Sequence, residues 1–134
     1  MRYREFTVEN IAGKNKNKFY NLLVSAVDSG PFDGGCVIVA QAIQMKYGGE
    51  IVALLGPSQK GSKVVAQHAA VKIGDQLIDF DGPLPMQDFV RRFERNELSS
   101  TGGGITTVRL LNDDDLPDAP RDKELSLKLA RLIQ

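Results

Sequence analysis

The stretch from Val37 to Ile43 is almost entirely apolar, and it follows directly on the residues Gly34-Gly35-Cys36. Such a stretch predicts the first turns of a buried helix, because a helix without a polar face has to be covered on all sides. We expect this helix to begin at Cys36 and to run to about Tyr47, where Gly48-Gly49 would end it. A core built around this helix is therefore the first requirement on the fold.

Composition limits the classes of protein to which the chain can belong. It has 134 residues, of which 42% are apolar. This is enough to bury a core without disulfides or metal, so we predict one domain over residues 1–134. Lys plus Arg equals Asp plus Glu at 17 each. This balance gives no electrostatic basis for binding nucleic acid.

The sequence also bears on the compartment. Its apolar stretches are far shorter than the roughly 18 residues needed to span a bilayer. The first residues show neither the apolar segment nor the cleavage site of a signal peptide. We therefore expect a cytoplasmic protein that does not enter a membrane. The single cysteine, Cys36, agrees with a reducing compartment and leaves its thiol free for chemistry.

Hydrophobic periodicity predicts further helices and strands around the buried helix. Apolar residues at helical spacing indicate amphipathic helices over 19–27 and 86–93, and a last helix over about 119–133 with Asp118 as its N-cap. Short apolar runs indicate strands over 50–55 and 105–111. Together they predict an α+β fold in which N-terminal helices pack on a small antiparallel sheet.

The residues from His68 to Gly82 predict a β-hairpin. Gly74-Asp75 suits a two-residue type II′ turn, which needs glycine at its first central position. In that register His68 shares one strand face with Asp79 and Asp81, and Asp81 is directly opposite His68. The alternate face is apolar and is expected to meet the core. A histidine beside a carboxylate can act as a general base, because the carboxylate fixes its tautomer.

Cys36 has the surroundings that a nucleophilic thiol requires. The thiolate reacts, and a free thiol has a pKa of about 8.5, so an enzyme has to lower that pKa. The N-terminus of a helix does so with its free backbone N–H groups. Gly34 and Gly35 leave room for a substrate carbonyl and for backbone N–H groups that face an oxyanion. A thiol, an imidazole and a carboxylate in this order predict a cysteine hydrolase or acyltransferase.

This order and context resemble the papain-like superfamily in its broad sense, over about residues 32–82. Its compact bacterial or phage members, such as transglutaminase-like proteins, arylamine N-acetyltransferases and effector proteases, are the most similar. Their triad acid often ends an apolar strand shortly before a glycine, as in Ile78-Asp79-Phe80-Asp81-Gly82. The resemblance implies a papain-like fold with Cys36, His68 and Asp79 as the triad, and Asp81 is the alternative acid.

The chain departs from papain-like proteases near Cys36. No glutamine stands a short step before the cysteine, and no tryptophan follows it. The oxyanion would then be held by backbone N–H groups of Gly35 and Cys36, or by Gln67 or Gln41. The expected substrate is a peptide, a protein or a small acyl compound, with water or an amine as acceptor.

No cofactor is expected for this chemistry. A metal site is not expected either, since a structural zinc needs about four ligands and the chain has one Cys and one His. Arg91-Arg92 and Arg95 are interpreted as a solvated helix face. Two other classes remain open: a non-catalytic interaction or inhibitor module that retains the fold, and a redox-sensing thiol activated by His68.

Overall fold

The structure is a computed structural model, which describes residues 10–58, 63–101 and 103–134. Over these residues the chain is α+β, with four α-helices and one five-stranded antiparallel sheet. The helices are α1 (Lys16–Val27), α2 (Cys36–Tyr47), α3 (Met86–Phe93) and α4 (Lys123–Ala130). The strands are β1 (Glu50–Pro57), β2 (Val64–Ile73), β3 (Gln76–Asp79), β4 (Gly82–Pro85) and β5 (Thr107–Leu110). A 3₁₀ turn, Gly13–Asn15, precedes α1, and a π-helical turn, Glu94–Leu98, continues α3.

The sheet is covered by helices on both faces, and its strands have the order β4-β3-β2-β1-β5. On one face, Ala69 and Val71 of β2 belong to the same hydrophobic cluster as α1, α2 and α4. On the other face, Leu54, Ala70 and Leu77 pack with Phe89 and Phe93 of α3. No helix in the described ranges has the length and apolarity needed to cross a membrane.

Helix α2 is the buried helix that the apolar stretch predicts. It begins at Cys36 and ends at Tyr47, and seven of its residues are buried: Cys36, Val37, Ile38, Val39, Ala40, Ala42 and Ile43. One face meets the sheet and another meets α4. The buried hydroxyl of Ser126 on α4 donates to the backbone oxygen of Ile38 at 2.9 Å. Both neighbours therefore hold the helix that begins at the cysteine.

The hairpin has the register that the turn residues predict. Ile73 pairs with Gln76 and Val71 pairs with Ile78. Gly74 has φ +61°, a conformation that glycine adopts without a steric penalty and that a type II′ turn requires at this position. The turn therefore fixes which residues of β3 share a face with which residues of β2.

The placement of Asp81 directly opposite His68 is wrong. The β2–β3 ladder reaches only the pair Val71–Ile78. Strand β3 ends at Asp79 because the chain turns back there, and Asp79 pairs with Gly82 across this turn. The Asp79 carboxylate accepts the backbone N–H of Asp81 at 2.9 Å and so stabilises the turn. Asp81 is thereby carried away from β2.

The N-cap of the last helix is Asp122, and the prediction of Asp118 is wrong. Helix α4 begins at Lys123, and the Asp122 carboxylate accepts the backbone N–H of Leu125 at 3.0 Å. Before it, the Arg121 guanidinium binds the carbonyl oxygens of Leu116 and Ala119 at 2.6 and 2.8 Å. These bonds hold the preceding segment as turns, so the helix starts later than the sequence predicts.

Replacing Asp122 by alanine is expected to lower the free energy of unfolding by about 1 kcal/mol, because an unfilled N-cap leaves a backbone N–H without its acceptor. The measurement is urea denaturation followed by circular dichroism. Asp118→Ala is the matched control, since this exposed aspartate caps no helix among the described residues, and its effect should stay within about 0.5 kcal/mol. Equal losses in the two variants would contradict the assignment of the cap.

Candidate active site

Cys36 is the first residue of α2, and its thiol lies beside the His68 side chain and the backbone N–H of Ala69 on β2. The residue is buried, with 6% of its surface exposed. Gly35 is the N-cap, so no side chain caps this end of the helix. The first backbone N–H groups of a helix have no partner within the helix and carry its positive end. The thiol therefore lies where a negative charge is stabilised.

His68 lies on β2 and is fully buried, with 1% of its surface exposed. Its ring is sandwiched between Phe32, at a centroid distance of 5.2 Å, and Phe93, at 4.7 Å, with interplanar angles of 16° and 17°. Phe32 comes from the loop before Cys36, and Phe93 is the last residue of α3. The two rings fix the plane of the imidazole and keep water from its faces.

The imidazole is held by Asp79 at the end of β3. Its Nε2 atom lies 3.0 Å from Asp79 Oδ2. The other ring nitrogen, Nδ1, is buried and has no hydrogen-bond partner in the described part of the chain. After Asp79, the neighbour that most affects the protonation of His68 is the Cys36 thiol. The thiol is thus beside the ring, but the distance and angles between the sulfur and Nδ1 are not those of a hydrogen bond.

The electrostatics of the pair favour an ionised thiol. Burial raises the pKa of the Cys36 thiol, but His68 and the backbone N–H groups of Ala69 and Cys36 outweigh burial and lower the pKa below its usual value. For His68, burial lowers the pKa, but Asp79 and the thiol raise it to about 9. Both shifts favour the ion pair of a thiolate beside an imidazolium over the pair of a neutral thiol and a neutral imidazole.

Asp81, the alternative acid, has a different environment. It is partly exposed, and the pKa of its carboxyl is raised by burial and by the nearby charge of Asp79. Its backbone N–H, and not its carboxylate, contacts Asp79. Of the two aspartates named by the sequence, Asp79 is the one that the structure brings into contact with the imidazole.

The two glycines before the cysteine differ in their roles. Gly34 lines the same pocket as Cys36. The backbone N–H of Gly35 donates to the Gly30 carbonyl oxygen at 2.9 Å, so it is not available to an oxyanion in this structure. A Cβ atom at Gly35 would lie 2.8 Å from that same oxygen and 2.9 Å from Leu23. Gly35 therefore permits the close approach of the loop to α1, and the Cys36 N–H is the remaining backbone donor of the predicted pair.

The glutamine candidates for the oxyanion site are both engaged elsewhere. Gln67 lines the pocket, but its amide donates to the carbonyl oxygen of Pro57 at 3.1 Å. It stands at the irregular point of the β1–β2 ladder, where the register shifts between Leu54 and Leu55. The side-chain oxygen of Gln41 lies 3.4 Å from the Ser126 hydroxyl, on the side of α4.

A pocket of about 710 Å³ is lined in part by Cys36. Cys36 and Phe32 contribute to its wall, and residues of β2 and of the segment before α4 form much of the rest. Charges of both signs line it, among them Arg109, which forms an ion pair with Asp115 at 2.7 Å. The buried Cys36 therefore borders a cavity.

Sequence reasoning missed Arg92, and its placement on a solvated helix face is wrong. The side chain is only 11% exposed, and its guanidinium contacts Asp79. A signal was present, because Arg92 stands three residues after Phe89 and so borders the apolar face of the helix. Phe32 and Phe93 were also missed as partners of His68, since neither is near it in sequence.

The described residues contain no group of three or more His, Cys, Asp or Glu side chains that could hold a metal ion. Comparison with protein-family models, with curated proteins and with solved structures finds no significant match for this chain. Functional argument therefore starts from the geometry of the site.

Replacing Asp79 by asparagine is expected to lower the pKa of His68 by at least about one unit, because the carboxylate that stabilises the imidazolium is lost. The pKa can be followed by NMR with ¹³C-labelled histidine, since His68 is the only histidine of the chain. Asp81→Asn is the matched control and should leave the titration near its wild-type value of about 9. A larger shift in Asp81→Asn than in Asp79→Asn would identify Asp81 as the partner.

The rate of Cys36 alkylation by iodoacetamide is expected to have a pH midpoint below the value of a free thiol, about 8.5. In His68→Ala the midpoint should rise, because burial, which raises the pKa of this thiol, is no longer opposed by the imidazole. His68→Phe keeps an aromatic ring between Phe32 and Phe93 and should show the same rise. A midpoint that both substitutions leave unchanged would contradict the pairing of thiol and imidazole.

Proposed function

We propose that the chain is a cysteine-nucleophile hydrolase or acyltransferase that acts on an amide, an ester or a thioester through a Cys36-His68-Asp79 triad. The observation that carries the proposal is the meeting of the chain's only thiol with its only imidazole. The far nitrogen of that imidazole lies 3.0 Å from a buried carboxylate. Cys36 is one of the residues that line a pocket.

The arrangement of the elements supports a papain-like fold for this triad. The nucleophile begins a buried helix, and that helix packs on an antiparallel sheet. The adjacent antiparallel strands β2 and β3 supply the histidine and the acid in chain order. This is the order on which the resemblance to the papain-like superfamily depends.

In the first half of the reaction the Cys36 thiolate attacks the carbonyl carbon of the substrate, and the carbonyl π electrons move to its oxygen. The resulting tetrahedral intermediate collapses when the carbon–leaving-group bond breaks. The His68 imidazolium gives its Nδ1 proton to the leaving amine, alcohol or thiol. The products of this half are the free leaving group, an acyl-thioester on Cys36 and a neutral imidazole.

In the second half a water molecule or an amine attacks the thioester. Neutral His68 takes one proton from this acceptor through Nδ1, and the sulfur leaves as a thiolate. The thiolate–imidazolium pair is thereby restored. Throughout both halves, Asp79 holds the proton on Nε2, so the ring keeps the tautomer that presents Nδ1 to the thiol.

The oxyanion of each intermediate would be stabilised by the backbone N–H of Cys36 and the positive end of α2. The Gly35 N–H is bonded to Gly30, so this donor set is smaller than the sequence predicts. A non-catalytic module would account for the fold. It gives no reason to bury a titratable imidazole beside a thiol, where burial is unfavourable to both charges.

The proposal is tested with p-nitrophenyl acetate, an activated ester that acylates nucleophilic thiols. Wild-type protein should release a burst of p-nitrophenol equal to one equivalent, with the acetyl group found on Cys36 by mass spectrometry. Cys36→Ala should abolish the burst. Asp79→Asn should slow the burst at neutral pH by about tenfold, because a less stable imidazolium leaves a smaller fraction of the thiol ionised, and Asp81→Asn should slow it much less.

Peptidyl amides and acyl thioesters then separate hydrolysis from transfer, with and without an added primary amine. Acylation at a rate that neither His68→Phe nor Asp79→Asn changes would sink the proposal, because any accessible thiol reacts with an activated ester at its own background rate. A thiol that reacts with peroxide and with no acyl donor would instead favour the redox-sensing class.

A further inference from the structure

We infer that Arg92 is a positioning residue for the proposed triad, whose guanidinium holds the Asp79 carboxylate in the orientation that serves His68. The inference rests on the proposed function, since it concerns how the acid of that triad is kept in place. It assigns a role to a side chain on α3, an element that carries neither the nucleophile, the base nor the acid.

The Arg92 guanidinium binds the turn between β3 and β4 at several points. Nη2 donates to the carbonyl oxygen of Gly82 at 2.7 Å, and Nη1 donates to that of Asp81 at 3.2 Å. Nη2 also lies 3.4 Å from Asp79 Oδ1. The guanidinium carbon stands 5.1 Å from the centre of the Phe89 ring, one turn earlier on α3. The group is therefore fixed from two sides, by the turn and by its own helix.

The two oxygens of the Asp79 carboxylate have different partners. Oδ1 receives the backbone N–H of Asp81 at 2.9 Å and faces Arg92. Oδ2 is left for His68 Nε2 at 3.0 Å. Rotation of the carboxylate away from His68 would break the bonds of Oδ1. The guanidinium thus fixes the acid directly, through Oδ1, and indirectly, through the turn that follows it.

A lysine could not replace this arrangement. The guanidinium is planar and presents several N–H donors in a rigid fork, whereas an ammonium group is a single point of charge on a flexible stem. Here one side chain reaches two carbonyl oxygens and a carboxylate. The positioning of the Asp79 carboxylate therefore depends on the shape of the guanidinium, and a positive charge alone does not provide it.

Shape and charge can be separated because they predict opposite changes at His68. A cation near the imidazole disfavours the imidazolium, so removing its charge alone would raise the pKa of His68. Loss of positioning changes the pKa of His68 in the opposite direction. A carboxylate that no longer faces Nε2 stabilises the imidazolium less, so the pKa of His68 falls.

The chain offers a matched control in the neighbouring residue. Arg91 is on the same helix, but its side chain is 70% exposed. Its Nη1 atom lies 3.7 Å from Oδ1 of Asp88, which is also exposed. Arg91→Gln therefore removes the same charge, one residue away, without touching the triad.

The experiment measures the pKa of His68 by NMR and the pH midpoint of Cys36 alkylation in wild type, Arg92→Gln, Arg92→Lys and Arg91→Gln. If Arg92 positions Asp79, both Arg92 variants lower the pKa of His68 by about one unit and raise the alkylation midpoint. Arg91→Gln stays at the wild-type values. Arg92→Lys keeps the charge and an aliphatic stem over Phe89, so it remains informative if Arg92→Gln does not fold.

Each other outcome has a definite meaning. A raised pKa of His68 in Arg92→Gln, with wild-type values in Arg92→Lys, would show a charge effect and overturn the positioning role. Wild-type behaviour of both Arg92 variants would overturn it as well, while the proposed triad stands. An ordinary His68 pKa and an ordinary thiol midpoint in the wild-type protein would remove the triad itself, and the inference with it.

Discussion

The burial of His68 is the constraint on which the surrounding structure depends. A polar group taken out of water costs free energy unless it finds a partner, and this ring is 1% exposed between two phenylalanines. Asp79 satisfies Nε2, but Asp79 is itself only 4% exposed and needs partners in turn. Those partners are the Asp81 N–H and Arg92. Each buried polar group is satisfied by the next, and the open position that remains, at Nδ1, is the one beside the thiol.

The acid side of this network forms within one short piece of chain. Asp79, the turn after it, β4 and α3 follow one another in sequence, and Asp79 is 13 residues from Arg92. Helix α3 begins immediately after β4 and covers the sheet face on which His68 lies. Cys36 has a separate origin, because α2 packs on the opposite face with α4. The site forms where the N-terminus of α2 reaches β2. Its geometry therefore depends on how the helices on both faces pack against the sheet.

The sequence predicts those parts of the site that are determined by residues close to one another in the chain. Helix α2 starts at Cys36 because an apolar run follows two glycines, and the hairpin register follows from Gly74-Asp75. The end of β3 was not predictable in this way. A strand that continued to residue 81 fits the alternation equally well, and the return of the chain depends on bonds made by Arg92 and Asp79. The cap of α4 was mistaken for a similar reason: two aspartates were eligible, and Arg121 binds the carbonyl oxygens of Leu116 and Ala119, on either side of Asp118, so that the helix does not begin there.

The charges of the network explain how a buried thiol can ionise. From the pocket inward, the groups are Cys36, His68, Asp79 and Arg92, and when the thiol is ionised and the imidazole is protonated their charges alternate in sign. Moving a proton from the thiol to the imidazole creates a pair of opposite charges and leaves the net charge of the four groups at zero. The large penalty of a lone buried ion therefore does not arise. A site with the thiol and the imidazole alone would lack the carboxylate that stabilises the imidazolium, and a site without Arg92 would bury that carboxylate with one partner fewer. The four groups together have no net charge, whether the proton is on the thiol or on the imidazole. Neutrality in both states, with a carboxylate on the far nitrogen of the imidazole, thus requires all the groups from Cys36 at the pocket to Arg92 on α3.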